Sequence, residues 1–383
     1  MLPFKLSHVT AGFIAILVGY TSSVAIIFQA IDQLGASDAQ ANSWMLVLGL
    51  GMGLSTLYLA LKFRMPVLTA WSTPGAALIA LSAGVTLPEA TGAFLFCALL
   101  LIATGLSGWF DRLARLIPDS LANAMLAGIL FSFGMKIFEA LDTDAALVAL
   151  MAAGYLALKR YAPRYAIAGV FLGGLAWVAA TGGFSEAELP LALARPEFVW
   201  PELSLPALIG LGLPLYLVTM SSQNMPGVVT LRGDGYEPDI GQAITVTGIV
   251  SLLLAPFGGY AFNLAAITAA ICTGPDADED PATRYKAALF AGLFYSLIGL
   301  MGATVIGLFL ILPKALVLTI AALALLGTIG NSLSAAVAPK AEREAALVTF
   351  MATASGFSLF GIGAPFWALL FGLVVRFALR PRR

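Results

Sequence analysis

"AWSTPGAAL", residues 70–78, reads as a turn or a helix start, because Ser72, Thr73, Pro74 and Gly75 stand together. Apolar sequence nonetheless flanks it on both sides. Non-helical backbone at membrane depth is tolerated only where it is buried in protein or lines a cavity. The meaning of this stretch therefore depends on whether the chain spans a membrane.

Composition answers that first. Of 383 residues, 60% are hydrophobic and 11% charged, with a mean hydropathy of +0.94, whereas soluble domains carry about 25% charged residues. The chain reads as an all-α polytopic membrane protein. A formal net charge of −1 leaves no basic stripe for a nucleic-acid partner. The first apolar run is long and lacks a small-x-small cleavage site, so it reads as a span rather than a signal peptide. Cys97 and Cys272 fall inside apolar segments with no CxxC or metal-ligand spacing, and His8 is the one histidine. No metal, no cofactor and no nucleophile–base pair is expected, which argues against an enzyme. The acidic run "PDADEDP" (275–281) lacks the spacing of a calcium loop and reads as a solvated turn.

Spanning helices need roughly 20 apolar residues, and runs of that kind divide the chain into about fourteen segments. They lie near 9–31, 43–62, 66–83, 88–110, 119–138, 144–159, 165–182, 206–225, 240–256, 258–273, 285–311, 315–335, 344–360 and 363–379. With both termini in the cytoplasm, only Lys136, Arg195 and Lys314 of the 20 basic residues fall in outer loops. That is a strong positive-inside bias.

The two halves echo one another. "DAALVALMAAGYLAL" from Asp144 returns as "EAALVTFMATASGFSL" from Glu344, and "IPDSLANAMLAGILFSFG" from Ile117 as "LPKALVLTIAALALLGTIG" from Leu312. "VGYTSS" (18–23) is answered by "VTMSSQN" (218–224). Seven spans per half would invert the second copy, the architecture of secondary transporters with a substrate at the midplane. The division expected is a first repeat over 1–183, an outer linker over 184–205 and a second repeat over 206–383.

Within this scheme the third span holds "TAWSTPGAAL" and the tenth "GGYAFNLAAITAAICTG" (258–274). Each opens on turn-like or extended residues, Val67-Leu68-Thr69 and Gly258-Gly259-Tyr260, and becomes helix-forming only midway. Two half-helices whose N-termini face one another would make an anion site out of backbone N–H groups and helix dipoles. The same cluster in one span alone could equally kink a buried helix.

"PVLTAWSTPGAAL", "PLYLVTMSSQNMPG" and "AFNLAAITAAIC", in this order, resemble the benzoate transporter (BenE) family of proton–benzoate symporters over essentially the whole chain. That family is distantly similar to the nucleobase–ascorbate transporters and to the sulfate and bicarbonate carriers. The resemblance implies a 7+7 inverted-repeat fold with core and gate domains, a place in the bacterial inner membrane, a benzoate-like aromatic carboxylate with a proton as cargo, and a homodimer. The nucleobase carriers place glutamates where this chain has Ser222 and Phe262. A cavity without those acids suits a carboxylate, which a midplane glutamate would repel.

On this reading the carboxylate lies between the half-helix termini. Backbone N–H groups of Thr73, Gly75, Asn263 and Leu264 are the expected donors, since Pro74 has none, with side-chain bonds from Ser72, Thr73 and Asn263. Tyr20, Ser22 and Ser23 on the first span and Ser221, Ser222, Gln223 and Asn224 on the eighth form the facing wall. Serines can instead bond back to their own helix. Phe262, Trp71 and Tyr20 are candidates to stack on a ring, or to pack in the core. Pro226-Gly227 is a hinge or a helix end. No membrane-embedded acid or histidine offers itself as a proton carrier; Glu89 and Glu139 lie at span ends. One answer is that the proton travels with the cargo. A facilitator or a carrier of another small anion, and a channel, remain open beside the symporter.

Overall fold

The computed structural model describes residues 4–108, 110, 118–161, 166–183, 193–275, 277–302, 304, 311–359 and 362–379. Helix starts follow local cap chemistry. α1 (Leu6–Gln33) leads to α2 (Asp38–Phe63), whose N-cap Ser37 and third residue Gln40 close a capping box. Arg64, in the left-handed region at φ 52°, ends α2. A two-residue strand β1 (Thr69–Ala70) then enters the short α3 (Thr73–Ala80), capped by the Ser72 hydroxyl with Pro74 in the first turn. α4 (Leu87–Ser107) starts on a second capping box, Thr86 with Glu89.

The first half closes with α5 (Asp119–Gly134), α6 (Lys136–Thr143), α7 (Ala145–Tyr161) and α8 (Ala166–Thr181). The expected span 119–138 is thus two helices, broken after Gly134. The second half holds a long helical rod α9 (205–233), α10 (Ile240–Leu254), strand β2 (Asn263–Leu264), short helix α11 (Ile267–Thr273), then α12 (Tyr285–Leu300), α13 (Lys314–Val337), α14 (Arg343–Ala354) and α15 (Ala364–Ala378). A hairpin of β3 (Ser358–Leu359) and β4 (Ile362–Gly363) precedes α15. Every expected apolar segment contains helix. Five helices among the described residues are long and apolar enough to cross a membrane by length and composition. The expected eleventh span ran to 311, but α12 ends at Leu300, and 303 and 305–310 lie outside the described residues. Residues 184–192 of the expected linker do too, while 193–204 run extended across helix ends. There Ala194, Val199 and Glu202 donate their N–H groups to the carbonyls of Leu300, Pro256 and Pro88.

Close packing sets the frame. α2 and α12 pair through glycines: a Cβ on Gly49 would lie 2.4 Å from Gly299 Cα, so only hydrogen at these positions lets the two backbones approach so closely. Small residues do this work in membranes, where water gives no drive for helices to associate. An aromatic knot of Trp44, Phe94 and Tyr260, each centroid pair 5.7 Å apart, pins the chain entering β2 against α2 and α4. β1 and β2 pair antiparallel, Thr69 opposite Leu264 and Ala70 opposite Asn263. Antiparallel strands run in opposite directions, so the short helices that follow them lead apart from a common point. That ribbon is where the two breaks meet.

Candidate functional site

The ribbon is anchored by hydroxyls rather than by a sheet. Thr69 Oγ1 donates to Met52 O at 2.9 Å and lies within 2.6 Å of Ser55 Oγ and 2.9 Å of Thr56 Oγ1. Its N–H donates to Thr56 Oγ1. On the other strand, the N–H of Phe262 donates to Ser251 Oγ and that of Leu264 to Asn224 Oδ1, both at 2.9 Å. The N–H groups of Thr69, Phe262 and Leu264 thus find side-chain partners beyond the two-pair ladder, as burial requires. Ser72 does the same for α3: its Oγ accepts the Gly75 N–H at 3.1 Å and the Thr219 hydroxyl at 3.0 Å.

A cavity of about 340 Å³ opens beside this ribbon, inside the range of about 300–1,000 Å³ usual for small-molecule sites. Ala70, Trp71 and Thr73 bring the start of α3 to it, and Ala265 to Thr268 the start of α11. Gly19 and Ser23 of α1 and Tyr295 of α12 complete one side. The other is Asn123 of α5 with Asn331 and Ser332 of α13. Among the described residues, no Asp, Glu, Lys, Arg or His lines it.

α9 supplies the remaining wall through an irregularity with a traceable cause. Pro226 has no N–H for the carbonyl of Ser222, and a proline ring clashes with the carbonyl four residues back. The helix responds with a π turn over Met220–Asn224, closed by Met225 N–H to Met220 O. Pro214 follows a second such turn, Leu208–Gly212. The extra residue puts Ser221, Ser222 and Gln223 on the cavity and turns the buried Asn224 toward β2. Pro226→Ala restores the missing donor. It is expected to retain the fold and to lower transport several-fold by rotating this wall; uptake beside a melting curve checks it.

Of the residues expected from sequence, the cavity gathers Ser23, Trp71, Thr73, Ser221, Ser222 and Gln223. Trp71 is held by Nε1–H donation to Ser23 Oγ at 2.9 Å and by an edge-to-face contact with Tyr20, ring centroids 4.8 Å apart. Tyr20 itself is buried behind that wall, and its hydroxyl has no hydrogen-bond partner among the described residues. Ser72, Gly75, Asn224 and Leu264 are engaged with one another's elements rather than open to the cavity, so the Gly75 and Leu264 N–H groups are not free donors. Asn263 Nδ2 donates to Ala261 O, while its Oδ1 has no partner among the described residues. Phe262 is fully buried against Gly51, where an added Cβ would lie 2.3 Å from its ring. The Ser22 side chain lies outside the described ones. Residues the sequence reading left out are Asn123, Thr268, Tyr295, Asn331 and Ser332; the polar ones in apolar helices were a usable signal. Thr219→Val deletes the bond to Ser72 and is expected to cost about 1 kcal/mol, seen as melting about 2–4 °C earlier.

Comparisons with known proteins bear on this geometry. A family model described as benzoate membrane transport protein (BenE) matches residues 2–378. The chain is 46% identical over 363 residues to the inner membrane protein YdcO of Escherichia coli, covering 94% of this chain and 93% of that one. It is 37% identical over 377 residues to the benzoate membrane transport protein of Acinetobacter baylyi, covering 98% and 96%. Among solved structures it is similar to the murine Solute Carrier 26 family member A9 anion transporter in its inward-facing state. There the TM-score is 0.68 and the identity 14%, covering 100% of this chain and 70% of that one. The transmembrane domain of a cyanobacterial bicarbonate transporter, BicA, matches with TM-score 0.62 and 13% identity over 98% of this chain and 96% of that one. These structural likenesses establish a helical membrane-transporter fold.

Proposed function

The chain belongs to the benzoate membrane transport protein family, a family of membrane transporters and not of enzymes, and from that membership we propose that it imports benzoate or a similar aromatic carboxylate across the bacterial inner membrane, with a proton, by alternating access. The observation that carries this reading is a cavity lined by apolar groups, hydroxyls and amides, with no charged side chain among the described residues, placed where the short helices after two interruptions begin. An anion there meets no carboxylate. It meets the positive end of α3, whose first turn offers the Thr73 N–H once Pro74 lacks one and Ser72 holds that of Gly75. The ring of the cargo lies against Trp71 and Tyr295, which line the same wall.

The recurring element order supports an inverted repeat, 1–183 and 206–383, with α5 and α13 as the wall that moves against the rest. Both termini are then cytoplasmic, as the distribution of basic residues requires. Among the described residues no acid lines the cavity to take a proton, so the proton crosses on the cargo or binds elsewhere in the chain.

Radiolabelled benzoate uptake into proteoliposomes, with and without an inward proton gradient, tests the proposal. Accumulation against concentration that needs the gradient is the expected result; uptake that only equilibrates would replace symport by facilitated diffusion. A second reading, a carrier of small inorganic anions, draws on the anion and bicarbonate transporters that share the fold. Inhibition by bicarbonate or sulfate but not by other aromatic acids would favour it.

A further inference from the structure

The chain's one histidine is engaged far from the cavity. His8, in the first turn of α1, is fully buried, and its Nε2 lies 2.8 Å from Oδ2 of Asp278, whose side chain is 1% exposed. The other oxygen, Oδ1, accepts from Lys5 Nζ at 2.9 Å and from the Asp280 N–H at 3.1 Å. The Lys5 N–H donates to His8 Nδ1 at 3.1 Å. A ring nitrogen that accepts a hydrogen bond carries no proton. The imidazole is therefore neutral, with its proton on Nε2 and donated to the carboxylate.

Burial favours this proton-poor state most, the Lys286 and Lys5 ammonium groups add to it, and the Asp278 carboxylate opposes it. Lys5 stands before α1, Lys286 in the first turn of α12, and Glu279, Asp280 and Arg284 on the loop that carries Asp278. The hydrogen bond from Lys5 holds the Asp278 carboxyl well below the usual carboxylate range. A proton added at Nδ1 would turn an acceptor into a donor facing the Lys5 N–H. It would also place a cation at a helix N-terminus, where the dipole opposes it. A proton added to Asp278 would discharge the group that holds both Lys5 and His8. An imidazolium would attract the Asp278 carboxylate more strongly, but burial of the ring outweighs that attraction and disfavours the charged form in the tied state. By either route the added proton therefore favours the untied state.

That tie ends on the binding-site framework. Arg284 Nε–H donates to Asp278 O at 2.6 Å and Nη1–H to Thr273 O at 2.7 Å, so Asp278 and the last residue of α11 are clamped together. α11 begins at the cavity with Ile267 and Thr268, and α1 reaches it at Gly19 and Ser23. Gly19 lies about 16 Å along the helix from His8, at 1.5 Å per residue. We propose that His8 and Asp278 form a proton-binding site that locks the α11–α12 loop to α1 while deprotonated and releases it when a proton is taken. Its link to cargo rests on the carrier reading; its link to the loop does not.

Tag-free protein labelled at histidine gives a single imidazole signal, because the chain holds one histidine. Near neutral pH that signal should show the neutral Nε2–H form. As acidification protonates the ring, the protection of the loop amides against hydrogen exchange should fall at least tenfold in step with it. His8→Gln keeps a donor for Asp278 and cannot titrate, so its loop should stay protected over the same range. Lys5→Gln, at an exposed side chain, removes a facing cation and should move the midpoint to higher pH. An imidazolium at neutral pH, no step in loop protection at the histidine midpoint, or the same step in His8→Gln would overturn the proposal. Benzoate should shift the midpoint, and by reciprocity pH should shift benzoate affinity equally. Absence of benzoate counterflow in the wild-type protein would count against the carrier reading alone, since the exchange measurement uses no benzoate.

Discussion

Ser222→Glu is expected to abolish benzoate counterflow, raising the half-saturation concentration at least 100-fold. Ser222 lies in the π turn of α9 and lines a cavity that has no charged residue of its own among those described. A carboxylate there would face the cargo's carboxylate with no cation between them. Like charges brought together at an interface cost several kcal/mol, and about 2.8 kcal/mol already corresponds to 100-fold. Ser222→Gln adds the same bulk without the charge and should stay within several-fold of wild type. The pair separates charge from size in a single counterflow experiment with melting curves alongside. Comparable transport by the Glu and wild-type proteins would remove the anion from this cavity.

Asn224→Leu should cost at least tenfold in benzoate affinity while the helices remain assembled. Asn224 is fully buried and does not line the cavity; its Oδ1 accepts the Leu264 N–H. Leucine fills a similar volume and leaves that N–H without a partner, a penalty of about 1–3 kcal/mol. The β1–β2 ribbon has two residue pairs, so without Asn224 the end of β2 at Leu264 is held by those pairs and the flanking Phe262–Ser251 and Ala265–Leu68 bonds. Release of β2 shifts Ala265 to Thr268, which form part of the cavity wall. Hydrogen exchange at the Leu264 amide should speed up as affinity falls. Unchanged affinity with faster exchange would separate the ribbon from the site.

Both predictions rest on features of different legibility. The break at Ser72–Gly75 and the one before Ile267 could be read from sequence because caps, prolines and glycines act on their immediate neighbours. The helical segments were readable because spanning a bilayer demands a run of apolar residues. The absence of acids from the middle of the spans was visible in the same way. These are local chemistry, and local chemistry survives in one dimension.

Direction and pairing are not local. Ser222 and Asn224 stand two residues apart in the same motif, and a helix turns by about 200° over two residues, so one faces the cavity and the other supports β2; which of them does so is set by the helix phase at the π turn before Pro226. Trp71 and Phe262 are both aromatic residues beside a break. Gly51 makes room for one in the core, while Ser23 and Tyr20 hold the other at the wall. Asn123 and Asn331 join the site only because α5 and α13 pack over it. His8 and Asp278 meet across 270 residues. Sequence by itself determined a membrane-spanning helical chain, its two interruptions and the lack of acids in the middle of its spans. Tertiary structure alone decided which polar groups remain open to a ligand, because buried donors and acceptors must first be satisfied by partners that only packing brings within reach.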